Sequence, residues 1–154
     1  MHDNHQPPPL DEQLCFALYA ATNAVVRTYR PLLDEVGLTY PQYLVMLVLW
    51  REDLPLGVTE LGDRLQLPAH ALSPLLDRME ANGLIRKRRS TSDRRRVDVL
   101  LTRAGDELEE AVAHIQKQVV CATTLESQEL DEMREKLHDL VDRMTRTERQ
   151  SADR

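Results

Sequence analysis

The sequence predicts a mainly α-helical protein (α+β) with one short antiparallel hairpin. Two observations support this fold class. Apolar residues recur at three- and four-residue spacing through most of the chain, and one stretch alternates like a pair of strands. With 154 residues the chain is long enough to form one domain with its own hydrophobic core.

The stretch from Val58 to Thr102 contains the most specific pattern. It opens with a short amphipathic segment of the length of a supporting helix. A longer segment follows, whose apolar stripe is Leu72, Leu75, Leu76 and Met79. Its polar stripe has short and charged side chains, as a helix lying in a DNA groove requires: Ala69, His70, Ser73, Asp77 and Arg78. We expect Pro68 to open this helix and Pro74 to remove one backbone hydrogen bond within it.

A basic hairpin is predicted directly after this helix. Asn82-Gly83 favours a helix end, and residues 84–89 and 97–101 alternate like two short strands around a Ser- and Asp-rich turn. Helix, turn, helix and basic hairpin together predict a winged helix-turn-helix over residues 56–102. The alternative is an ordinary solvated, charged hairpin on a helical domain.

The charge distribution indicates double-stranded DNA as the partner. Residues 86–96 hold seven basic side chains and one acid, a net charge of +6, and because the whole chain carries −6 the remaining residues carry −12. A basic patch on an acidic body concentrates the attraction for phosphate in one place. The predicted DNA-binding residues are His70, Ser73, Asp77, Arg78, Arg86, Lys87, Arg88, Arg94, Arg95 and Arg96. Asp93 is expected to brace Arg95 rather than to touch DNA.

Long helices are predicted on both sides of this unit. The first starts at an Asp11 cap and ends at Gly37, with a kink or restart at Pro31. The next starts at Thr39 or Tyr40 with Pro41 in its first turn, and its apolar body predicts a central core helix. Residues 53–57 are expected to form a turn. Beyond the hairpin, Thr102 should cap a helix that reaches about Cys121, and a last helix should start near Ser127.

The outer helices present more apolar surface than the middle unit can cover, which predicts an obligate homodimer with long dimerisation helices. Two-fold symmetry would place two reading helices about 34–36 Å apart on a pseudo-palindromic operator. The predicted organisation is a disordered segment at 1–9, one domain at 10–146 with dimerisation helices at 10–37 and 103–146, and a polar, frayed tail at 147–154.

The N-terminus lacks the build of a signal peptide, and no apolar run approaches the ~18–20 residues of a membrane span. We therefore expect a cytoplasmic protein without membrane contact, whose two cysteines are free thiols. The five histidines are scattered and the five glycines stand singly. No metal site, no cofactor and no catalytic arrangement is predicted.

Cys15 lies near the start of the first helix, where free N–H groups and the helix dipole favour a reactive thiolate, although Asp11 and Glu12 oppose this effect. The alternative is an inert, buried cysteine. Tyrosine hydroxyls can donate to a thiolate, but Tyr29 is fourteen residues further on, about 21 Å along a straight helix. A contact between Cys15 and Tyr29 therefore requires an antiparallel dimer. Cys121 could act as a resolving thiol for oxidised Cys15.

From Leu10 to Met144 the chain resembles the MarR-type (multiple antibiotic resistance regulator) transcription factors. The wing pattern of that family is present as Asp93, Arg95, Leu101 and Thr102. More specifically, the runs QLCFALY, TYR and TYPQYLVMLVLW are similar to the organic hydroperoxide resistance regulators, the peroxide-sensing branch. One departure is Leu67-Pro68-Ala69-His70, where many relatives have an Asp-Ser-like cap, so a different operator preference is expected.

The resemblance implies roles for four residues. Cys15 would be the sensor thiol, and Tyr29 and Tyr40 would hydrogen-bond it from the other subunit. Cys121 matches the second thiol of the two-cysteine members, which implies a disulfide to Cys15 of the other subunit.

The function predicted from these observations is a repressor that releases DNA when an organic hydroperoxide oxidises Cys15. Oxidation would derepress a peroxide-detoxification gene. One alternative is a repressor released by a small aromatic or phenolic ligand, with incidental cysteines. Two further alternatives are a thiol peroxidase and a nucleoid protein without sequence specificity.

Overall fold

A computed structural model describes residues 7–152, with side chains as far as Glu148. The order of elements is a 3-10 turn Leu10–Glu12, α1 Leu14–Asp34, α2 Tyr40–Leu49, β1 Leu56–Gly57, α3 Val58–Leu65, α4 Ala69–Ala81, β2 Ile85–Arg89, β3 Val97–Leu101, α5 Arg103–Val112, α6 Ile115–Thr123 and α7 Ser127–Ala152. The predicted fold class, mainly helical with a small antiparallel sheet, is confirmed. Most of the predicted disordered segment, residues 1–6, lies outside the described residues.

The prediction that Asp11 caps the first helix is wrong. Asp11 belongs to the 3-10 turn, and the residue before α1 is Gln13, whose extended backbone separates the two helices. α1 does not restart at Pro31, which lies in its last turn. Gly37 ends the helical segment as predicted: its φ is +71°, and the Leu38 N–H donates to the Leu33 carbonyl at 3.0 Å.

The predicted start of α2 at Thr39 is confirmed. The Thr39 side chain accepts from the Gln42 N–H, and the Gln42 side chain accepts from the Thr39 N–H at 2.9 Å, which is a complete capping box. Val45 and Met46 of this helix are fully buried, so α2 is the core helix that its composition predicted. The core around it also includes the apolar stripe of α4.

A strand that the sequence did not predict completes the sheet. Leu56 and Gly57, expected to be part of a turn, form β1 and pair with Val99 and Asp98 of β3. The strand order is β1-β3-β2 and all pairs are antiparallel. The predicted hairpin is confirmed, with β2 and β3 in register from Ile85 opposite Leu101 to Arg89 opposite Val97.

The helix predicted from Thr102 to Cys121 is two helices. Thr102 caps α5 as expected, since its hydroxyl accepts from the Gly105 N–H at 3.1 Å. α5 ends in a 3-10-type turn, because the Ala113 N–H donates to the carbonyl of Glu110, three residues back, rather than to the residue four back. α6 begins two residues after Ala113. No glycine or proline marks this break.

The described chain forms two compact units, one as far as Val119 and one from Val120 onward. α7, in the second unit, is helical as far as Ala152, so the frayed tail predicted at 147–154 is wrong as far as that residue. Ion pairs and threonine hydroxyl bonds one turn apart, such as Arg143–Asp139 and Thr145 to the Val141 carbonyl, support this end of α7. None of the described helices is both apolar and long enough to cross a membrane.

Candidate nucleic-acid interface and thiol site

A tight turn joins α3 to α4. Gln66 adopts a left-handed conformation with φ +54°, and the Leu67 N–H donates to the Gly62 carbonyl at 2.9 Å. A Cβ on Gly62 would lie 3.0 Å from the Leu67 carbonyl oxygen in the turn and 3.4 Å from the Leu72 side chain of α4, so the two helices meet closely at this point. Pro68 directly precedes α4, and its carbonyl accepts from the Leu72 N–H at 3.1 Å. This proline therefore opens the helix, as predicted.

α4 has one buried and one exposed face. Leu72, Leu76 and Met79 are at most 1% exposed, which confirms the predicted apolar stripe. The four predicted DNA-reading residues of this helix are all exposed: His70, Ser73, Asp77 and Arg78. α4 continues through Pro74 without interruption, and the Arg78 guanidinium donates to the carbonyl of Pro74 at 3.2 Å.

Lys87 joins the hairpin to α4 through two carboxylates that the sequence analysis did not pair with it. Its ammonium group donates to Asp77 and lies 3.5 Å from Glu80, and its backbone N–H donates to Glu80 at 2.7 Å. The hydrogen bond to Asp77 is the largest cause that raises the pKa of Lys87 above its ordinary value. Lys87 and Asp77, both predicted to bind DNA, therefore bind each other in the free chain.

Asp93 organises the tip of the hairpin. Its carboxylate accepts from the backbone N–H of Arg95 at 2.9 Å, and its carbonyl accepts from the N–H of Arg96 at the same distance. The bracing role predicted for Asp93 is therefore directed at the backbone of Arg95 rather than at its guanidinium group. The Arg96 carbonyl in turn accepts from the Ser90 N–H at 2.9 Å, which closes the turn.

The basic side chains of the hairpin fall into two groups. Lys87 and Arg96 are bonded to acidic groups, Arg96 to Asp98 at 2.6 Å. The others are exposed and make no hydrogen bond or ion pair within the described part of the chain: Arg86, Arg88, Arg89, Arg94 and Arg95. These five cations, with the exposed face of α4, make a surface suited to the phosphates and groove edges of a duplex.

Both cysteines are free and exposed. Cys15 is the second residue of α1, where backbone N–H groups have no partner within the helix. Cys121 lies near the end of α6, in the second unit. The alternative expectation that Cys15 is buried is therefore wrong for the single chain. Among the described residues, no three His, Cys, Asp or Glu side chains form a group suited to a metal ion.

Tyr29 and Tyr40 meet in a cluster of phenols near the other end of α1. Their ring centroids are 5.0 Å apart, and the ring of Tyr43 lies 5.7 Å from that of Tyr29. Burial, followed by the neighbouring phenols Tyr43 and Tyr40, raises the pKa of Tyr29 to about 12. Burial also raises the pKa of Tyr40 and that of Tyr43. These groups thus remain neutral hydroxyl donors at physiological pH. Tyr43 is a member that the sequence analysis did not select.

A helix-turn-helix with one exposed polar face, followed by a basic hairpin, defines a winged-helix DNA-binding protein. The comparisons with known proteins agree with this class. The family model described as transcriptional regulator SarA/Rot matches residues 27–115. The chain belongs to this family, the SarA/Rot-type winged-helix transcription regulators of the MarR group.

Individual relatives are similar over different shares of their length. TtmR, an HTH-type transcriptional regulator of Methylorubrum extorquens, is 54% identical over 99 residues, which are 64% of this chain and 50% of that protein. The organic hydroperoxide resistance transcriptional regulator of Bacillus subtilis is 38% identical over 133 residues, 86% of this chain and 90% of that one. The chain thus spans about half the length of the first relative and most of the second.

Solved structures of AbfR, a protein of Staphylococcus epidermidis, have the same fold. Reduced AbfR bound to DNA is 32% identical with a TM-score of 0.73, covering 88% of this chain and 94% of that chain. Disulfide-formed AbfR has the same identity and a TM-score of 0.61, covering 86% of this chain and 92% of that one.

Proposed function

We propose that this regulator is a cytoplasmic, homodimeric repressor that senses organic hydroperoxides through Cys15 and then releases its operator. The thiol reacts once and is restored by reduction, so the protein acts as a switch rather than as an enzyme. The observation that carries the proposal is the position of an exposed Cys15 at the start of α1 and of a phenol cluster near its end. Because α1 is one continuous helix, only a second, antiparallel copy can bring Tyr29 and Tyr40 to Cys15.

Exposed apolar side chains support the homodimer. In the first unit, α1 exposes Leu14, Phe16, Tyr19 and Val25. In the second unit, α7 exposes Met133, Leu137, Val141 and Met144. The α7 side chains recur every three or four residues and so form one exposed apolar stripe, which a second copy would cover.

In the reduced dimer, α4 would enter the major groove of each half-site of a pseudo-palindromic operator. His70, Ser73 and Arg78 would face base edges, while Arg94 and Arg95 at the hairpin tip would reach the minor groove. Arg86 and Arg88 would contact phosphates. The contacts to phosphate make binding steeply salt-dependent.

The proposed switch has two chemical steps. The Cys15 thiolate attacks the outer oxygen of the peroxide R–O–O–H, so that an S–O bond forms and the O–O bond breaks; the sulfur becomes a sulfenic acid, and the alkoxide takes up a proton and leaves as the alcohol R–OH. The Cys121 thiol of the other subunit then attacks that sulfur, so that an S–S bond forms and water leaves. A covalent bond between subunits changes the arrangement of the dimer, and a shift of a few ångströms is enough to spoil half-site spacing.

The relatives support this chemistry. The Bacillus subtilis protein is named for organic hydroperoxide resistance, and AbfR has been solved both reduced on DNA and with a disulfide formed. A disulfide in such a relative favours a thiol switch over the alternative in which the cysteines have no role in the release of DNA.

The decisive experiment measures binding to the promoter regions of the protein's own gene and of neighbouring peroxidase genes, before and after cumene hydroperoxide. Wild type, Cys15→Ser and Cys121→Ser are compared, with non-reducing gels alongside. We expect wild type to release DNA with a cross-linked dimer band, and Cys15→Ser to remain bound without the band. Release by Cys121→Ser without the band would restrict the switch to sulfenic acid formation. Peroxide-insensitive binding in all three proteins would refute the sensor.

A second candidate function is release by a small aromatic or phenolic ligand. A cleft of about 650 Å³ between α3, α4 and the hairpin favours it, because the cleft is lined by both apolar and charged groups, including Val58, Leu76, Lys87 and Arg95. Release of the Cys15→Ser protein from DNA by benzoate, without any effect of peroxide, would support this function.

A further inference from the structure

Arg96 differs from the other arginines at the tip of the hairpin, because its guanidinium group has two partners, Asp98 on β3 of the hairpin and Pro55 in the segment before β1. Its Nε donates to the carboxylate of Asp98 at 2.6 Å, and its Nη2 donates to the carbonyl of Pro55 at 3.3 Å. Asp98 is 6% exposed, so this nearly buried carboxylate of β3 holds the Arg96 side chain by a charge-assisted hydrogen bond and directs it towards Pro55.

Gly57 leaves the space in which this guanidinium group lies. A Cβ at Gly57 would be 2.9 Å from the Nε of Arg96 and 3.3 Å from its Cζ. The backbone of Gly57, with φ −67° and ψ 144°, is one that any residue adopts, so close contact rather than conformation favours glycine here. Gly57 also pairs with Asp98 in the sheet and directly precedes α3.

Arg96 therefore connects the tip of the hairpin to the start of the helix-turn-helix. Its backbone closes the tip through Asp93 and Ser90, while its side chain is held by Pro55 and Asp98. The only strand that joins the hairpin to the segment before α3, within the described residues, is the two-residue β1. Lys87 holds β2 to α4 through Asp77 and Glu80, and the side chain of Arg96 adds an attachment at the tip side of β3.

We infer that Arg96 is a positioning residue that sets the hairpin tip relative to α4, and that it does not reach into the minor groove. The inference rests on the proposed reading of a specific operator, and it assigns the groove contact to Arg94 and Arg95, whose guanidinium groups are free of partners in the described chain. It differs from the sequence prediction, which grouped all three arginines together as DNA-binding residues.

The two roles have different signatures in DNA binding. Removal of an arginine that contacts phosphate or groove weakens binding to any sequence and lowers the slope of log affinity against log salt by about 1. Loss of a positioning residue instead weakens binding to the operator, leaves binding to random DNA nearly unchanged, and leaves that slope in place.

A double-mutant cycle between Gly57 and Arg96 tests the inference. Gly57→Ala pushes the flexible end of Arg96 aside without changing any charge, and Arg96→Gln removes the attachment itself. We expect each to weaken operator binding about ten-fold, the size of one charge-assisted hydrogen bond, with an unchanged salt slope. In the Arg96→Gln background, Gly57→Ala should have no further effect, because its action runs through Arg96. Arg95→Gln is the matched control and should lower the salt slope.

Amide hydrogen exchange of residues 90–96 in the protein without DNA provides a second readout. Exchange should be faster in Gly57→Ala and Arg96→Gln and unchanged in Arg95→Gln. Additive effects in the cycle, a lowered salt slope for Arg96→Gln, or unchanged exchange would each overturn the positioning role. If wild type does not prefer any operator over random DNA, the proposed function fails, while the exchange rates still decide how Arg96 acts.

Discussion

Replacing Tyr29 by phenylalanine tests how well the phenol cluster between α1 and α2 is shielded from water. Tyr29 is 9% exposed, and its pKa is raised from 10.0 to about 12, mainly by burial. Below pH 10 the phenol is neutral in both the folded and the unfolded chain. As pH rises from 10 to about 12, the unfolded chain loses this proton first, so the folded state is progressively destabilised.

The size of the effect follows from the two pKa values. A pKa of about 12 in the folded chain against 10.0 in the unfolded chain corresponds to about 2.7 kcal/mol of unfolding free energy once Tyr29 is ionised in both states. At pH 11, halfway through that window, about 1.4 kcal/mol is lost. The Tyr29→Phe protein lacks this phenol. Between pH 9 and pH 11 its unfolding free energy should therefore fall by about 1.4 kcal/mol less than that of wild type.

Two assays measure the effect. Urea unfolding at pH 9 and pH 11 gives the difference in free energy, and phenolate absorbance near 295 nm, followed together with circular dichroism, gives the ionisation itself. The component that titrates near pH 12 should disappear in Tyr29→Phe and survive in Tyr19→Phe, which removes an exposed phenol instead. Loss of a component near pH 10 in Tyr29→Phe would refute the argument from burial.

Three further substitutions have expected outcomes. Gly105→Ala should lower stability by about 1–3 kcal/mol in thermal denaturation, because the added Cβ would overlap the Leu84 carbonyl oxygen; an unchanged melting temperature would contradict this close packing. Thr39→Ala should cost about 1 kcal/mol in the same assay by removing the cap of α2, with Thr39→Ser as the control that keeps the hydroxyl. Lys87→Met should weaken operator binding with little change in salt slope, because it leaves two carboxylates of α4, Asp77 and Glu80, uncompensated next to the DNA. A salt slope lowered by about 1 would instead assign Lys87 a phosphate contact.

Helix ends could be predicted where a local signal encodes them. Thr39, Gly37 and Thr102 cap or end helices through bonds to residues within five positions, so a short window of sequence contains the whole interaction. The same reasoning failed at Asp11, because the extended backbone of Gln13 interrupts the helix before the cap can act.

Features that depend on distant partners were not predicted. β1 is two residues long and its partner strand begins forty residues later, so no alternation could reveal it. Likewise, counting charges identified the basic hairpin but could not say which cations are already bonded. Lys87 is bonded to acids on α4 and Arg96 to Asp98, and these pairs depend on the direction of each side chain. The choice between free and bonded cations is therefore a tertiary property.

Trp50 is the only tryptophan of the chain, and it stands at a joint between helices. Its ring packs edge-on against Tyr43 at 6.5 Å, and its indole N–H donates to the Gly105 carbonyl at 3.1 Å, so it links the end of α2 to the first turn of α5. All indole fluorescence of the protein therefore originates at this joint. No added label is therefore needed to follow this region. A shift of the emission maximum on peroxide treatment would show that the change in structure extends from Cys15 through the phenol cluster to α5, the helix that follows the hairpin.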